Sequence, residues 1–412
     1  MHTQRRVIVV GAGLSGLSAA RALSDRGIEV TMFEARERVG GRVWSTTLTT
    51  GAVVELGAEW IMHDDVAVHE TAARFGLELV ETGASYGRRE PWGAGSSSLE
   101  AQGAFIEAAN TAFARLAPHD VEATSVGEFL ERVDGDDAAR AMVMLRLAGT
   151  CGQDLHRVAL ASFTGERPFS PHGERYYRIG SGSQALAVAL AASVPDVRTG
   201  HAVDSIEHDE RGATARVGPH AERADAVVVA VPAPIATRIA FTPALPDELA
   251  TALVQLPMGV ASKLAVATKR RPPTRSRQSS ERSMWCWTAN GAGGKPRRCV
   301  ASFAGSPAAH DSLGLSRGEP TRWLEAVREM NPDLTLVDEP VVYTWADDPF
   351  TLGAYSSWDP VSWARRELFS RPVGRVAFAG EHTTADRHGT MEGAIRSGRR
   401  AAEQIVDMLS AG

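Results

Sequence analysis

The sequence predicts an α/β chain in which a dinucleotide-binding domain is interleaved with a second, α+β domain. Three observations predict it. Residues 7–10 form a short β-branched run that ends in Gly11-Ala12-Gly13-Leu14-Ser15-Gly16 and opens into an Ala/Leu-rich amphipathic stretch, the pattern of strand, tight turn and helix. Residues 376–379 form a second apolar run, followed by Gly380-Glu381 and a helical stretch from Met391 to about Leu409. Between these ends lie two long insertions of different periodicity, so the first and last strands must share one domain for the two motifs to meet.

Taken in order, Gly11 permits the turn, Gly13 lets a pyrophosphate approach the backbone, and Gly16 lets the helix pack closely on the strand, with helix N-terminal amides facing the phosphates. Glu34 ends the next apolar run, residues 28–33, where a carboxylate can accept hydrogen bonds from ribose hydroxyls; an acid there disfavours a 2′-phosphate. Residues 53–61 read as a strand meeting a glycine turn. From 66 to 160 the apolar positions recur at helical spacing, notably 126–133 and 138–147, with a Gly/Ser-rich break at 93–98. Residues 176–183 precede a helix over about 184–192. Strands are expected at 201–208, 213–217 and 226–231, the last a continuous Val/Ala run suited to burial on both faces. The stretch 242–366 alternates like an antiparallel sheet at 262–268, 300–303 and 341–345. The expected division is therefore 1–80, 176–245 and 369–412 for the nucleotide domain, 81–175 for a helical insertion and 246–368 for a sheet-bearing one.

The chain has 412 residues, 43% of them hydrophobic, and a formal charge of −6, which argues against nucleic acid as the main partner. Residues 269–282 are locally basic and, being rich in Pro, Ser and Arg, read as an exposed loop. Cys151, Cys286 and Cys299 are isolated, with neither disulfide nor metal-ligand spacing, so no metal is expected and a reducing cytoplasm fits best. The nucleotide loop starts too early to leave room for an export segment, and no apolar run approaches the ~20 residues needed to span a bilayer, so no membrane partner is expected. Basic residues are almost all arginine, the lysines being Lys263, Lys269 and Lys295.

In several separated motifs the chain resembles the flavin-containing amine oxidases, the family of monoamine, polyamine and L-amino acid oxidases and of the flavin-type histone lysine demethylases. These motifs are Gly11 to Gly16 with Glu34, Gly40-Gly41-Arg42, Gly57-Ala58-Glu59-Trp60, Gly180 to Ser183, Ala230-Val231-Pro232, Met258-Gly259 through Lys263, Gly353-Ala354-Tyr355, Phe378 to Glu381 and Met391-Glu392-Gly393-Ala394. The resemblance implies a Rossmann-like FAD-binding domain interleaved with an α+β substrate-binding domain, and an oxidase that passes a hydride from an amine α-carbon to flavin N5 and reduces O2 to H2O2. It implies that Ser15, Glu34, Ala35, Arg36, Gly41 and Arg42 hold the adenosine and pyrophosphate, that Val203 meets the adenine through its backbone, and that Gly57, Ala58, Glu59, Gly380 and Glu381 complete the cofactor site. The amide of Met391, at the start of a helix, would face the flavin pyrimidine, where the helix dipole stabilises negative charge.

By the same resemblance Lys263 holds a water near flavin N5, although a strand lysine can also snorkel to solvent. Tyr355 stands where relatives place one wall of an aromatic cage for the substrate nitrogen, although a core tyrosine would look the same. Ala354 replaces the cysteine that links flavin covalently in monoamine oxidases, so FAD should be bound without a covalent link. Thr390 replaces the second cage wall, which opens the cage to a bulky or substituted amine; threonine there also suits a helix N-cap. Trp60 replaces the arginine that binds the substrate carboxylate in amino acid oxidases, and Met62 an acid or histidine common in polyamine oxidases. The expected substrate is thus a bulky amine, uncharged apart from its nitrogen. Trp345 and Trp358 read as cavity or core residues. An L-amino acid oxidase or a flavin-dependent desaturase is the alternative; a nicotinamide dehydrogenase would leave the C-terminal motifs without a role, and an interaction scaffold would be expected to carry a docking helix pair or a basic surface. Family habit implies a homodimer.

Overall fold

The computed structural model describes residues 4–170 and 175–410. A five-stranded parallel sheet runs in the order Val376–Phe378, Ala226–Val229, Arg6–Val10, Glu29–Phe33, Asp196–Arg198. Its central strands are apolar on both faces because both are covered, one by helices and the other by a smaller sheet with short helices beside it. On one face the helix Leu14–Ser24 lies against the helix Met391–Ser410. Gly398 sets their approach: a Cβ there would stand 2.1 Å from the Ser15 carbonyl oxygen, and Ser18 Oγ donates to the Ile395 carbonyl at 3.1 Å. First and last segments of the chain thus share one core.

The second large sheet has six strands, in the order Leu336–Thr344, Ala261–Thr268, Cys299–Gly305, Met284–Thr288, Arg275–Ser279, Glu90–Trp92. Ala261–Thr268 is buried along its whole length, the strand that carries Lys263. The helices Leu99–Phe113, Val126–Glu131 and Asp137–Cys151 form a separate apolar cluster beside it. A four-stranded sheet, His220–Ala224, Gly212–Val217, Ser205–Asp209 and Ala240–Thr242, packs on the opposite face of the nucleotide sheet.

Three details depart from the sequence reading. The basic stretch 269–282 is not one exposed loop: Arg275–Ser279 is a strand paired with Met284–Thr288 and Glu90–Trp92. Its alternation is polar on both sides. Arg275 and Arg277 reach Asp333 and Glu90, while Ser276 and Gln278 point into the core and are satisfied there, Gln278 Nε2 donating to the Met284 carbonyl at 2.8 Å. The stretch 66–160, read as helical, also contains the short strands Leu79–Glu81 and Glu90–Trp92. The strand expected over 201–208 begins only at Ser205, because the preceding residues run along the nucleotide loop, His201 N–H donating to the Glu34 carbonyl at 2.8 Å. No helix among the described residues is long and apolar enough to cross a membrane.

Candidate active site

One cavity of about 1090 Å³ runs from the glycine loop to the six-stranded sheet. Of the residues expected from the sequence to hold the cofactor or the substrate, all but two line it; Gly16 and Gly380 are not among the lining residues. Gly16 does the packing expected of it, since a Cβ there would sit 1.9 Å from the Gly11 carbonyl oxygen. Gly380 is held at φ +143, and a Cβ there would strike the His382 ring at 2.5 Å.

At the nucleotide end the geometry is a cradle. Gly13 caps the helix Leu14–Ser24 with no side chain, and a Cβ built on it meets nothing within 4 Å. The first-turn N–H groups of that helix have no intrahelical acceptor, so they face open space suited to a pyrophosphate. Ser15 and Ala35 flank this space, and Val203 lines its far side. The Glu34 carboxylate accepts from Ala12 N–H at 2.7 Å and Arg36 N–H at 2.9 Å, which fixes it between the loop and the end of the second strand. Arg36 makes a bidentate pair with Asp348 at 2.6 and 2.9 Å, and Tyr343 donates its hydroxyl to the same carboxylate. These residues fit a dinucleotide.

Glu381 is the junction of the site. It accepts from Arg42 at 2.7 Å, from Ser356 N–H at 3.1 Å and hydroxyl at 2.7 Å, and from Gly389 N–H at 2.7 Å. Burial raises its pKa, but Arg42, His382 and Ser356 outweigh that and hold it at about 2. Arg42 also donates to the Ala354 carbonyl at 2.9 Å. One ion pair therefore ties the N-terminal Gly-Gly-Arg turn, the segment carrying Tyr355, and the approach to the final helix. Thr390 begins that helix as an N-cap, its Oγ1 accepting from Gly393 N–H at 3.0 Å, and it also lines the cavity. Met391 follows as the first helical residue. The Tyr355 hydroxyl donates to the Thr150 carbonyl at 2.7 Å, and burial keeps it un-ionised, its pKa well above the ordinary value.

At the sheet end Lys263 is buried. Its Nζ lies 3.2 Å from Glu59 and 4.7 Å above the Trp287 ring. Burial lowers its pKa, with Glu59 opposing. Glu59 also meets Arg297 at 2.9 Å and Arg178 at 3.5 Å. Burial alone would raise its pKa, yet these three cations bring it to about 2. The Glu59 side chain is wholly engaged by this network; Gly57 and Ala58 lie beside it on the wall, a Cβ on Gly57 standing 3.2 Å from Trp345. Trp345 donates Nε1 to the Leu56 carbonyl at 2.7 Å, so it both packs and borders the cavity. Trp60 sits among Tyr86, Tyr176, Trp285 and Trp287, its ring 5.4 to 5.9 Å from each. Met62 lines the wall near Asp64 and Asp65, and His63 points to solvent.

The wall residues outside the motifs include two buried arginines, Arg89 and Arg146. The signal for Arg146 lies in the sequence: an arginine enclosed by the apolar residues 141–145 and Leu147 of the helical run 138–147. Arg89 carries no such mark, being one of a pair in a polar turn.

Comparison with known proteins agrees with the geometry. The family described as flavin containing amine oxidoreductase matches residues 14–406. The chain is 28% identical to polyamine oxidase 4 of Oryza sativa subsp. japonica over 97% of this chain and 88% of that protein. It is 29% identical to putrescine oxidase of Kocuria rosea, over 98% and 95%. A solved structure of wild-type putrescine oxidase bound to putrescine superposes with a TM-score of 0.83 at 23% identity, over 98% of this chain and 99% of that one. The chain belongs to the flavin-containing amine oxidoreductases and is an FAD-dependent enzyme of that family.

Proposed function

We propose that the enzyme is an oxidase that removes a hydride from the α-carbon of a bulky, secondary or otherwise substituted amine and uses O2 as acceptor, giving H2O2 and an imine that hydrolyses or cyclises. The observation that carries this reading is the meeting, in one cavity, of the dinucleotide cradle, the Tyr355 ring and buried Lys263. When bound, FAD supplies the hydride acceptor at N5. Tyr355 presents a neutral, electron-rich ring whose orientation is fixed by the Thr150 carbonyl, suited to an amine nitrogen. Lys263 supplies a poorly hydrated cation able to organise a water or assist oxygen chemistry. The carboxylates joined to Lys263 and to the Tyr355 segment, Glu59 and Glu381, are both held at about 2 and consumed in ion pairs, which suits hydride loss from an already neutral amine rather than proton abstraction by a side chain. Two of the similar proteins are named for polyamine and putrescine oxidation. A polycation suits this chain less well, because Met62 offers no charge and the arginines of the wall repel one.

The test is an anaerobic flavin-bleaching screen of the holoenzyme against primary, secondary and N-methylated amines, with cyclic alkenes alongside. Bleaching by amines, followed by peroxide on admitting air, is the expected result; bleaching by alkenes alone would replace this reading with a desaturase. The flavin is proposed to be held without a covalent bond, because Ala354 offers no thiol. Acid precipitation is then expected to leave all the yellow cofactor in the supernatant.

A further inference from the structure

We infer that Arg89 and Arg146 form an anion-binding subsite and that the substrate is an amine bearing a carboxylate a few bonds from its nitrogen. This rests on the amine-oxidase reading and revises the expectation that the substrate is uncharged apart from that nitrogen. Arg89 is 4% exposed and Arg146 9%, and both reach the cavity. Their hydrogen bonds go to neutral acceptors: Arg89 Nε to the Tyr86 carbonyl at 2.8 Å and Nη1 to Gln278 Oε1 at 2.9 Å, Arg146 Nη1 to the Gly87 carbonyl at 3.3 Å and Nη2 to the Phe169 carbonyl at 3.2 Å. Because the two guanidinium groups grip consecutive carbonyls, 86 and 87, they lie close together. Among the described residues neither meets a carboxylate.

Buried charges without an opposite charge are costly, and two like charges side by side more so. Part of that cost is offset for Arg89, whose guanidinium lies 3.8 Å over Trp285 and 4.9 Å from Tyr86. Among the described residues no carboxylate reaches either guanidinium to finish the task. Tyr86 and Tyr176 face the pair, and the neighbouring network sets Lys263, Arg178 and Arg297 against Glu55 and Glu59, itself in excess of positive charge. Burial foremost, with Arg146 adding to it, pushes the Arg89 pKa down to about 9, the signature of a cation lacking its counter-ion. A carboxylate accepting from two guanidinium groups would supply it.

The subsite is placed for this use. Trp285, beneath Arg89, stacks on Trp287 at 4.2 Å, and Trp287 lies beneath Lys263. Arg146 is one helical turn, about 5 Å, before the Gly149 and Thr150 carbonyls that receive the Tyr355 hydroxyl. One aromatic layer and one turn separate the arginines from the residues proposed to face the reacting nitrogen.

The test has two parts. In the first, unreactive phenylacetate and its uncharged match phenylacetamide are titrated into oxidised holoenzyme and followed by perturbation of the flavin absorbance. Phenylacetate is expected to bind at least tenfold more tightly, with the preference abolished in Arg146→Gln and partly kept in Arg89→Lys; equal binding of the two by the unaltered enzyme overturns the subsite. In the second, N-methylphenylalanine and N-methylphenethylamine are compared in anaerobic flavin reduction. The carboxylated member is expected to be at least tenfold more efficient, and the reverse order overturns the inference. Because the comparison of phenylacetate with phenylacetamide in the unaltered enzyme needs no turnover, a failed amine screen would sink the proposed reaction while leaving the anion subsite to be decided by binding alone.

Discussion

The two ends of the cavity handle charge in opposite ways. At the nucleotide end Arg36 is paired with Asp348, Arg42 with Glu381, and Glu34 with two backbone N–H groups, so these groups are satisfied by the protein itself. At the sheet end Arg89 and Arg146 rest on carbonyls, an amide and aromatic faces, with no acid in reach among the described residues. The first arrangement holds its shape without help. The second is completed by whatever enters it, so cofactor binding is written in the backbone and substrate choice in uncompensated charge.

The contrast is broken most severely by Glu381→Ala, which strips a self-satisfied region of its buried acid and leaves half-buried Arg42 without its carboxylate. A loss of about 3–5 kcal/mol in unfolding free energy is expected, together with loss of bound flavin, read by denaturant titration and absorbance. The pH dependence has a definite sign. Glu381 and Glu59 are both depressed from 4.5 to about 2, so their contribution is complete above about pH 4.5 and is lost as the pH falls toward 2. Unfolding free energy is expected to decline over that window, and Glu381→Gln to flatten the decline; a flat profile in the parent enzyme would contradict the pairing.

Next in size is a pair of glycine substitutions that separates packing from binding. Gly16→Ala places a methyl 1.9 Å from a carbonyl oxygen and is expected to cost about 1–3 kcal/mol or prevent folding. Gly13→Ala has open space for its methyl and an ordinary φ of −74, so apoprotein stability should hardly change while flavin affinity falls at least tenfold. Equal behaviour of the two would erase the distinction between scaffold and cradle. Lys263→Met is expected to slow flavin reoxidation or turnover by at least about tenfold, on the order of 1.4 kcal/mol; unchanged stopped-flow traces would leave the lysine a purely structural partner of Glu59. The smallest effect belongs to Thr390→Ala, which removes an N-cap at about 1 kcal/mol while leaving the cavity open, so melting temperature should move more than substrate selectivity.

What could be read from the sequence follows the same division. The glycine loop, Glu34 and the buried Val/Ala strands were legible because each depends on neighbours within a few residues: a turn, a spacing, an unbroken apolar run. Tyr355, Lys263 and Thr390 were found through resemblance, and the sequence could not say that Glu59 would pair with Lys263 or that one Glu381 would gather three distant segments, since these meetings depend on tertiary approach. Arg275–Ser279 was misread because strands are recognised by apolar alternation, and here buried glutamine and serine replace it. Arg89 escaped notice because arginine is ordinarily a surface residue, and nothing local marks one that a sheet edge and a tryptophan have enclosed.

The ion pair between Arg42 and Glu381 joins positions 339 residues apart. During synthesis the strand Arg6–Val10 can pair with Glu29–Phe33 at once, but its other neighbour, Ala226–Val229, emerges roughly 10–40 s later at about 5–20 residues per second. The glycine cradle therefore exists as a half-built edge for most of translation and can retain no flavin until the strand Val376–Phe378 and the helix after it have docked. The order of synthesis in this architecture therefore puts completion of the cofactor site after the docking of its last strand and helix.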